Sequence, residues 1–135
     1  MKKNEKNQKQ IILITGVSSG IGKACADIFK KNGHTIYGTS RKYSESIELS
    51  EGINKINLDL TSSDSIEKCI NKIIEKEGKI DCLINNAGLM VGGPIEYTPM
   101  NIIRKEFETN FFGSIDIIKK VLLYMHMADS GKIIT

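Results

Sequence analysis

Ile11-Ile12-Leu13-Ile14-Thr15-Gly16-Val17-Ser18-Ser19-Gly20-Ile21-Gly22 is an apolar run that passes directly into three glycines spaced GxxxGxG. An amphipathic pattern follows at once, with Ile21, Ala24, Cys25, Ile28 and Phe29 at helical spacing. The order is therefore strand, tight turn, helix. A buried strand, a glycine turn and a helix N-terminus together form an anion site, because unpaired N–H groups and the positive end of the helix dipole point at one spot. The glycines allow a phosphate to approach the backbone.

Composition bounds the rest. The chain has 135 residues, 40% hydrophobic and 26% charged, enough for one globular domain with a real core. Its net charge of +3 is accounted for by the first ten residues, where Lys2, Lys3, Lys6 and Lys9 face only Glu5. Residues 1–10 read as a basic flexible tail and 11–135 as the folded domain. The balanced remainder implies neither a nucleic-acid nor a membrane surface, and the apolar run after the tail is too short for a secretory signal. Cys25, Cys69 and Cys82 form no CxxC pair and lie on apolar faces, while His34 and His126 have no ligand-like companions. No metal site is expected, and the thiols suit a reducing, cytoplasmic setting.

The pattern along the chain alternates. Asn32-Gly33 stops the first helix, and His34 to Thr39 reads as a second strand. Residues 42–53 are polar, a loop or short surface helix, and Lys55 to Asp59 is a third strand. Thr61-Ser62-Ser63-Asp64 supplies cap residues for a helix with Ile66, Cys69, Ile70, Ile73 and Ile74 on one face before Gly78. Asp81 to Ile84 is a fourth strand leading into Asn85-Asn86-Ala87-Gly88. A glycine-rich loop ends at Thr98, expected to cap a helix with Pro99 at its first position. Ile103, Phe107, Phe111, Ile115, Ile118, Leu122 and Met125 predict one long helix from about Pro99 to Met127, before Gly131 to Thr135 begins a fifth strand. With no tandem strands, a parallel sheet with helices on both faces is the economical α/β architecture. Its ligand belongs at the carboxyl edge, where the glycine turn, Arg41, Asp59 and Asn85 to Gly88 all fall.

The motifs narrow the ligand. A triphosphatase phosphate loop needs four residues between its first Gly and Gly-Lys, followed by Ser or Thr. Here five residues separate Gly16 from Gly22, and Lys23 precedes Ala24, so that reading fails. A dinucleotide turn tolerates the spacing, as does a plain strand-to-helix turn. Dinucleotide folds that prefer NAD place an acidic residue about 20 residues beyond the glycines, on the ribose hydroxyls. This chain has Ser40-Arg41 there and no carboxylate from 38 to 42. A guanidinium at that point can pair with a 2′-phosphate, so NADP(H) is expected over NAD, with Ser18 or Ser19 as helpers. The plain alternative is a solvated arginine at a strand end.

With Thr15-Gly-Val-Ser-Ser-Gly-Ile-Gly22, Asp59-Leu60, Asn85-Asn-Ala-Gly88 and Phe107-Glu-Thr-Asn110-Phe-Phe-Gly113 in view, the chain resembles the short-chain dehydrogenase/reductase family from about Ile11 to Thr135. In detail it looks most like NADP-preferring members acting on steroid- or retinol-like substrates. The resemblance implies a Rossmann-type doubly wound parallel sheet, truncated after the fifth strand. It also implies that Gly16, Gly20 and Gly22 surround the pyrophosphate, with Ile21 giving a backbone contact. Asp59 would bond the adenine amino group and Leu60 the ring. Asn86, Ala87 and Gly88 would line the adenosine side, and Asn85 would tie neighbouring strands. Asn110 matches the family's catalytic Asn, which helps hold a water in a proton relay.

The family's chemistry also needs a Ser, a Tyr and a Lys four residues after the Tyr. Four positions after Tyr37, Tyr43, Tyr97 and Tyr124 stand Arg41, Ile47, Asn101 and Ala128. A family domain runs to about 250 residues. The expectation is therefore the cofactor-binding half of an NADP(H)-dependent oxidoreductase that moves hydride between the cofactor and a small-molecule carbonyl or secondary alcohol, a homo-oligomer at full length. The chain alone is expected to be inactive. The alternatives are a non-catalytic dinucleotide-binding module or truncated remnant, and an oligomer-forming scaffold built on the helix around Phe107 and Phe111.

Overall fold

The computed structural model describes residues 8–135. Most of the expected basic tail, residues 1–7, lies outside the described residues. Gln10 is already tied in: its N–H donates to His34 Nδ1 at 3.2 Å and its carbonyl accepts from Thr35 at 2.9 Å.

Strand β1 (Ile11–Ile14) is buried along its whole length because it pairs in parallel on both sides, which explains its unbroken apolar run. Helix α1 (Gly20–Lys31) ends at Asn32, with Gly33 at φ +88°. Strand β2 (Thr35–Ser40) follows. Residues 42–53 then depart from expectation. Strand β3 (Glu48–Ser50) pairs antiparallel with β4 (Ile53–Asn57) through Glu51 and Gly52, both at positive φ, the geometry of a tight hairpin turn. Because β3 is short, polar and at the sheet edge, it carries no apolar alternation to read.

Helix α2 (Ser63–Glu77) begins where the cap cluster predicts. Ser62 Oγ accepts from the Ser65 N–H, and Gly78 closes the helix in the left-handed region. Strand β5 (Cys82–Ile84) leads into an open segment with one 3₁₀ turn at Ile95–Tyr97. The long helix is real but not uniform: α3 (Met100–Phe107) runs through a π turn (Glu108–Phe112) into α4 (Gly113–Met127). Thr98 does not cap it. Its hydroxyl donates back to the Pro94 carbonyl at 3.0 Å, while Pro99 sits one position before the helix and accepts from the Ile102 and Ile103 N–H groups. Strand β6 (Lys132–Ile134) closes the order as a sixth strand, not a fifth.

The sheet runs β3-β4-β2-β1-β5-β6, parallel except for β3. Helices α2 and α4 pack one face around Leu13, Tyr37, Ile70, Leu83 and Val121. Helix α1 packs the other face around Ile12, Ile14, Ala26 and Ile36. The sheet is thus doubly wound. The chain builds outward from β1 through β2 to β4, then returns to the opposite side of β1 with β5, so the crevice at the strand ends opens between the β1 and β5 turns.

Candidate functional site

The two turns at this switch point are locked together by one hydroxyl. Thr15 is fully buried, and its Oγ1 accepts from the Asn86 N–H at 3.0 Å and the Ala87 N–H at 2.9 Å. The Asn86 side-chain amide answers by donating to the carbonyls of Thr15 and Gly16, at 3.0 and 2.9 Å. This closeness requires glycine at 16, where φ is +74° and an added Cβ would lie 2.9 Å from Ala87 Cα. A Cβ on Gly22 would meet the Gly16 carbonyl and the Asn86 amide. The glycine spacing therefore serves turn packing as well as access to the backbone.

A cavity of about 580 Å³ opens above these turns. Of the residues singled out from the sequence, Gly16, Ser18, Ser19, Arg41, Asp59, Leu60, Asn86, Ala87 and Gly88 line it. Gly20, Ile21 and Gly22 form the first turn of α1 just behind, outside the lining. Ser19 is the helix cap residue but its side chain makes no cap bond, and the first turn carries no acid. The leading N–H groups of α1 are left for an anion.

Charge is asymmetric around the cavity. Arg41 and Lys42, at the end of β2, both line it. Just after β4, the strand beside β2, Asp59 Oδ1 accepts from the Thr61 N–H at 2.9 Å and the Thr61 hydroxyl at 2.8 Å. The Thr61 backbone bond, then its hydroxyl and the charges of Arg41 and Lys105, outweigh desolvation and hold the Asp59 carboxyl below its ordinary value. One carboxylate oxygen takes both Thr61 bonds; Oδ2 is left for a donor in the cavity.

Asn110 does not line the cavity but reaches its edge. Its Oδ1 accepts from the Leu89 N–H and its Nδ2 donates to the Leu89 carbonyl, both at 2.7 Å, and Leu89 lines the cavity. The π turn around Asn110 adjusts the helix where this clasp is made. One amide hydrogen and one lone pair of the side chain are left over for a water. Asn85 bonds β6 through its N–H to the Ile134 carbonyl at 2.8 Å and through Nδ2 to the Thr135 hydroxyl at 3.4 Å; its buried Oδ1 has no partner among the described residues.

Sequence reasoning missed Thr15, Lys42 and Thr109. Thr15 stood in the motif without a role, and Lys42 was a second basic residue beside Arg41. Thr109 lines the cavity one residue before Asn110, with no signal of its own.

A family model described as short chain dehydrogenase matches residues 10–135. The chain belongs to the short-chain dehydrogenase family. It is 45% identical over 127 residues to 3-ketodihydrosphingosine reductase of Bacteroides thetaiotaomicron, covering 94% of this chain and 46% of that protein. It is 32% identical to the NADPH-dependent 3-dehydrocapnine reductase of Ornithobacterium rhinotracheale, covering 89% of this chain and 44% of that one. Among solved structures, ElxO with NADP bound superimposes with a TM-score of 0.84 at 33% identity, over 93% of this chain and 54% of that chain. The chain spans about half the length of the short-chain dehydrogenases it matches.

Proposed function

We propose that this chain is the cofactor-binding half of an NADP(H)-dependent short-chain oxidoreductase acting on a carbonyl or secondary alcohol. The observation that carries the reading is one cavity lined by the glycine turn after β1 and by Arg41 and Lys42, without an acid, after β2. The NADP-bound neighbour and the NADPH-dependent relative point the same way. A bound nicotinamide supplies or accepts the hydride. The chain's own residues bind and orient. Gly16, Gly20 and Gly22, with the α1 N–H groups and the backbone of Ile21, receive the diphosphate. Ser18, Ser19 and Arg41 receive the 2′-phosphate, and Asp59 accepts from the adenine amino group beside Leu60. Asn86, Ala87 and Gly88 form the adenosine wall. Asn110 fixes Leu89 at the cavity edge and keeps hydrogen-bonding capacity for a water.

The two relatives are named for reducing 3-ketodihydrosphingosine and 3-dehydrocapnine, and we take a 3-keto compound as the substrate class. The chain's three cysteines are unpaired, which suits a reducing, cytoplasmic setting. Among the described residues no helix is long and apolar enough to cross a membrane. Phe107, Phe111 and Phe112 are exposed along α3 and the π turn, and we assign that flank to self-association.

A second reading, a dinucleotide-binding module without turnover, is favoured for the isolated chain because none of its tyrosines lines the cavity. Mixing the chain with NADPH and a 3-keto substrate, while following nicotinamide fluorescence and absorbance, tests both. Binding without consumption of NADPH agrees with either reading, consumption overturns the module without turnover, and no binding overturns both.

A further inference from the structure

We propose that Asn57 is a positioning residue for cofactor choice, holding the turn that presents Arg41 and Lys42 to a 2′-phosphate, an inference that rests on the NADP(H) reading of the cavity. Asn57 is the last residue of β4 and lies opposite Ser40, the last residue of β2. It does not line the cavity. From that register its side-chain Nδ2 donates to the Arg41 carbonyl at 3.0 Å and to the Tyr43 carbonyl at 3.2 Å. Its own N–H donates to the Ser44 carbonyl at 2.8 Å. One residue therefore holds three carbonyls of the segment 41–44, and both hydrogens of its amide are spent there. An aspartate at 57 would set acceptors against acceptors, and a serine would offer one donor for two carbonyls.

The segment needs that support. Ser40 to Tyr43 is a β-turn closed by the Tyr43 N–H on the Ser40 carbonyl at 3.2 Å, with Arg41 and Lys42 as its two corner residues. Both are exposed, and among the described residues neither forms an ion pair. Downstream, the Tyr43 ring packs against the core on the α1 side, with Lys55 Nζ 5.7 Å from its centre. The corner is thus suspended between β2 and Tyr43, and Asn57 ties the carbonyls on either side of Lys42 to the sheet. An arginine on a loose turn loses backbone freedom when it closes on a phosphate, whereas one on a fixed turn has lost it already. On the NADP(H) reading the diphosphate and adenine meet the turns after β1, β4 and β5. Asp59, two residues beyond Asn57, is held separately, through its N–H to Ser65 Oγ at 3.0 Å and through Thr61. Releasing the Asn57 amide therefore acts on the 2′-phosphate contact, which NADH does not make.

The test titrates NADPH and NADH calorimetrically against the chain and against Asn57→Ala, Asn57→Thr and Asn57→Gln. Fixing the backbone of one residue is worth roughly fivefold in an equilibrium constant, so Asn57→Ala should bind NADPH about fivefold more weakly and NADH within about twofold of the native chain. Threonine, which suits a strand end and keeps one donor, should lie between the two, and glutamine, which keeps both donors, should bind NADPH more tightly than the alanine variant. In a chain already carrying Arg41→Ala and Lys42→Ala, Asn57→Ala should change NADPH affinity by less than about twofold, because neither cation remains to be positioned. Hydrogen exchange of the Lys42 and Tyr43 amides, without nucleotide, should be faster in the alanine variant. The proposal is overturned if Asn57→Ala weakens both nucleotides equally, if its full effect on NADPH persists without Arg41 and Lys42, or if those amides exchange faster while NADPH affinity is unchanged. In each of these cases a loss of NADPH preference on Arg41→Ala alone leaves the cofactor reading standing. A native chain that binds NADPH and NADH alike, with Arg41→Ala changing neither, overturns the cofactor reading and this proposal with it.

Discussion

Thr15→Val preserves side-chain shape and deletes one oxygen, the one on which two turns converge. In the native protein that oxygen accepts from the Asn86 and Ala87 N–H groups at 3.0 and 2.9 Å, and Thr15 is fully buried. A buried donor left without an acceptor costs about 1–3 kcal/mol. Asn86 and Ala87 are half-buried, so water partly compensates and the lower end applies to each. The sum is about 2 kcal/mol, roughly thirtyfold in the folding constant. Thr15→Ser keeps the oxygen and loses one methyl group, a cost of about 0.8 kcal/mol. Urea unfolding of the three proteins measures this as a shift in midpoint at constant slope. A valine variant within about 0.5 kcal/mol of the native protein, or a serine variant as destabilised as the valine one, would refute the claim that this hydroxyl couples the turns.

Other perturbations separate site from scaffold. Gly22→Ala sets a methyl group against the Gly16 carbonyl and the Asn86 amide and should lower NADPH affinity by more than about tenfold in a fluorescence titration. Gly33→Ala, where φ is +88° and the space is open, should cost about 1 kcal/mol of stability and leave affinity unchanged. Asp59 ionises below its unfolded value, so its contribution is present above about pH 4 and is lost as pH falls through the lowered folded value. Thermal melts should therefore show Asp59→Asn less stable than the native protein at neutral pH, with the gap closing in acid. Burial pushes the Cys69 thiol up to about 12, whereas Cys25 is only half-buried. A thiol reagent at neutral pH should modify Cys25 first and reach Cys69 only on unfolding; equal rates would contradict the packing described.

Where signals were local, the fold was legible before the structure was known. The Ser62 cap and the Asn32-Gly33 stop each depend on neighbours a few residues away, and the glycine spacing after β1 stands out in the sequence even though the Asn86 and Ala87 it packs against are distant. Strand β3 was not legible, because an exposed edge strand of Glu48, Leu49 and Ser50 has no buried face to impose a period. The π turn was hidden for a different reason. Phe107, Phe111 and Ile115 fit an uninterrupted helix, and the bond that accompanies the irregularity joins Asn110 to Leu89, a partner set only by tertiary structure. The candidate site divides in the same way. Residues following strands were found by their place at the carboxyl edge, while Thr109 enters the cavity from a helix remote in sequence from every motif except Asn110.

The central claim is that the end of β2 makes this cavity a site for the 2′-phosphate of NADP(H). Calorimetric titration of the chain and its Arg41→Ala variant with NADPH and with NADH tests it most directly. The account predicts that the variant loses NADPH affinity by more than about tenfold while its NADH affinity stays constant, the signature of a charge-assisted contact made to one phosphate. Equal losses for both nucleotides, or none for either, would contradict it.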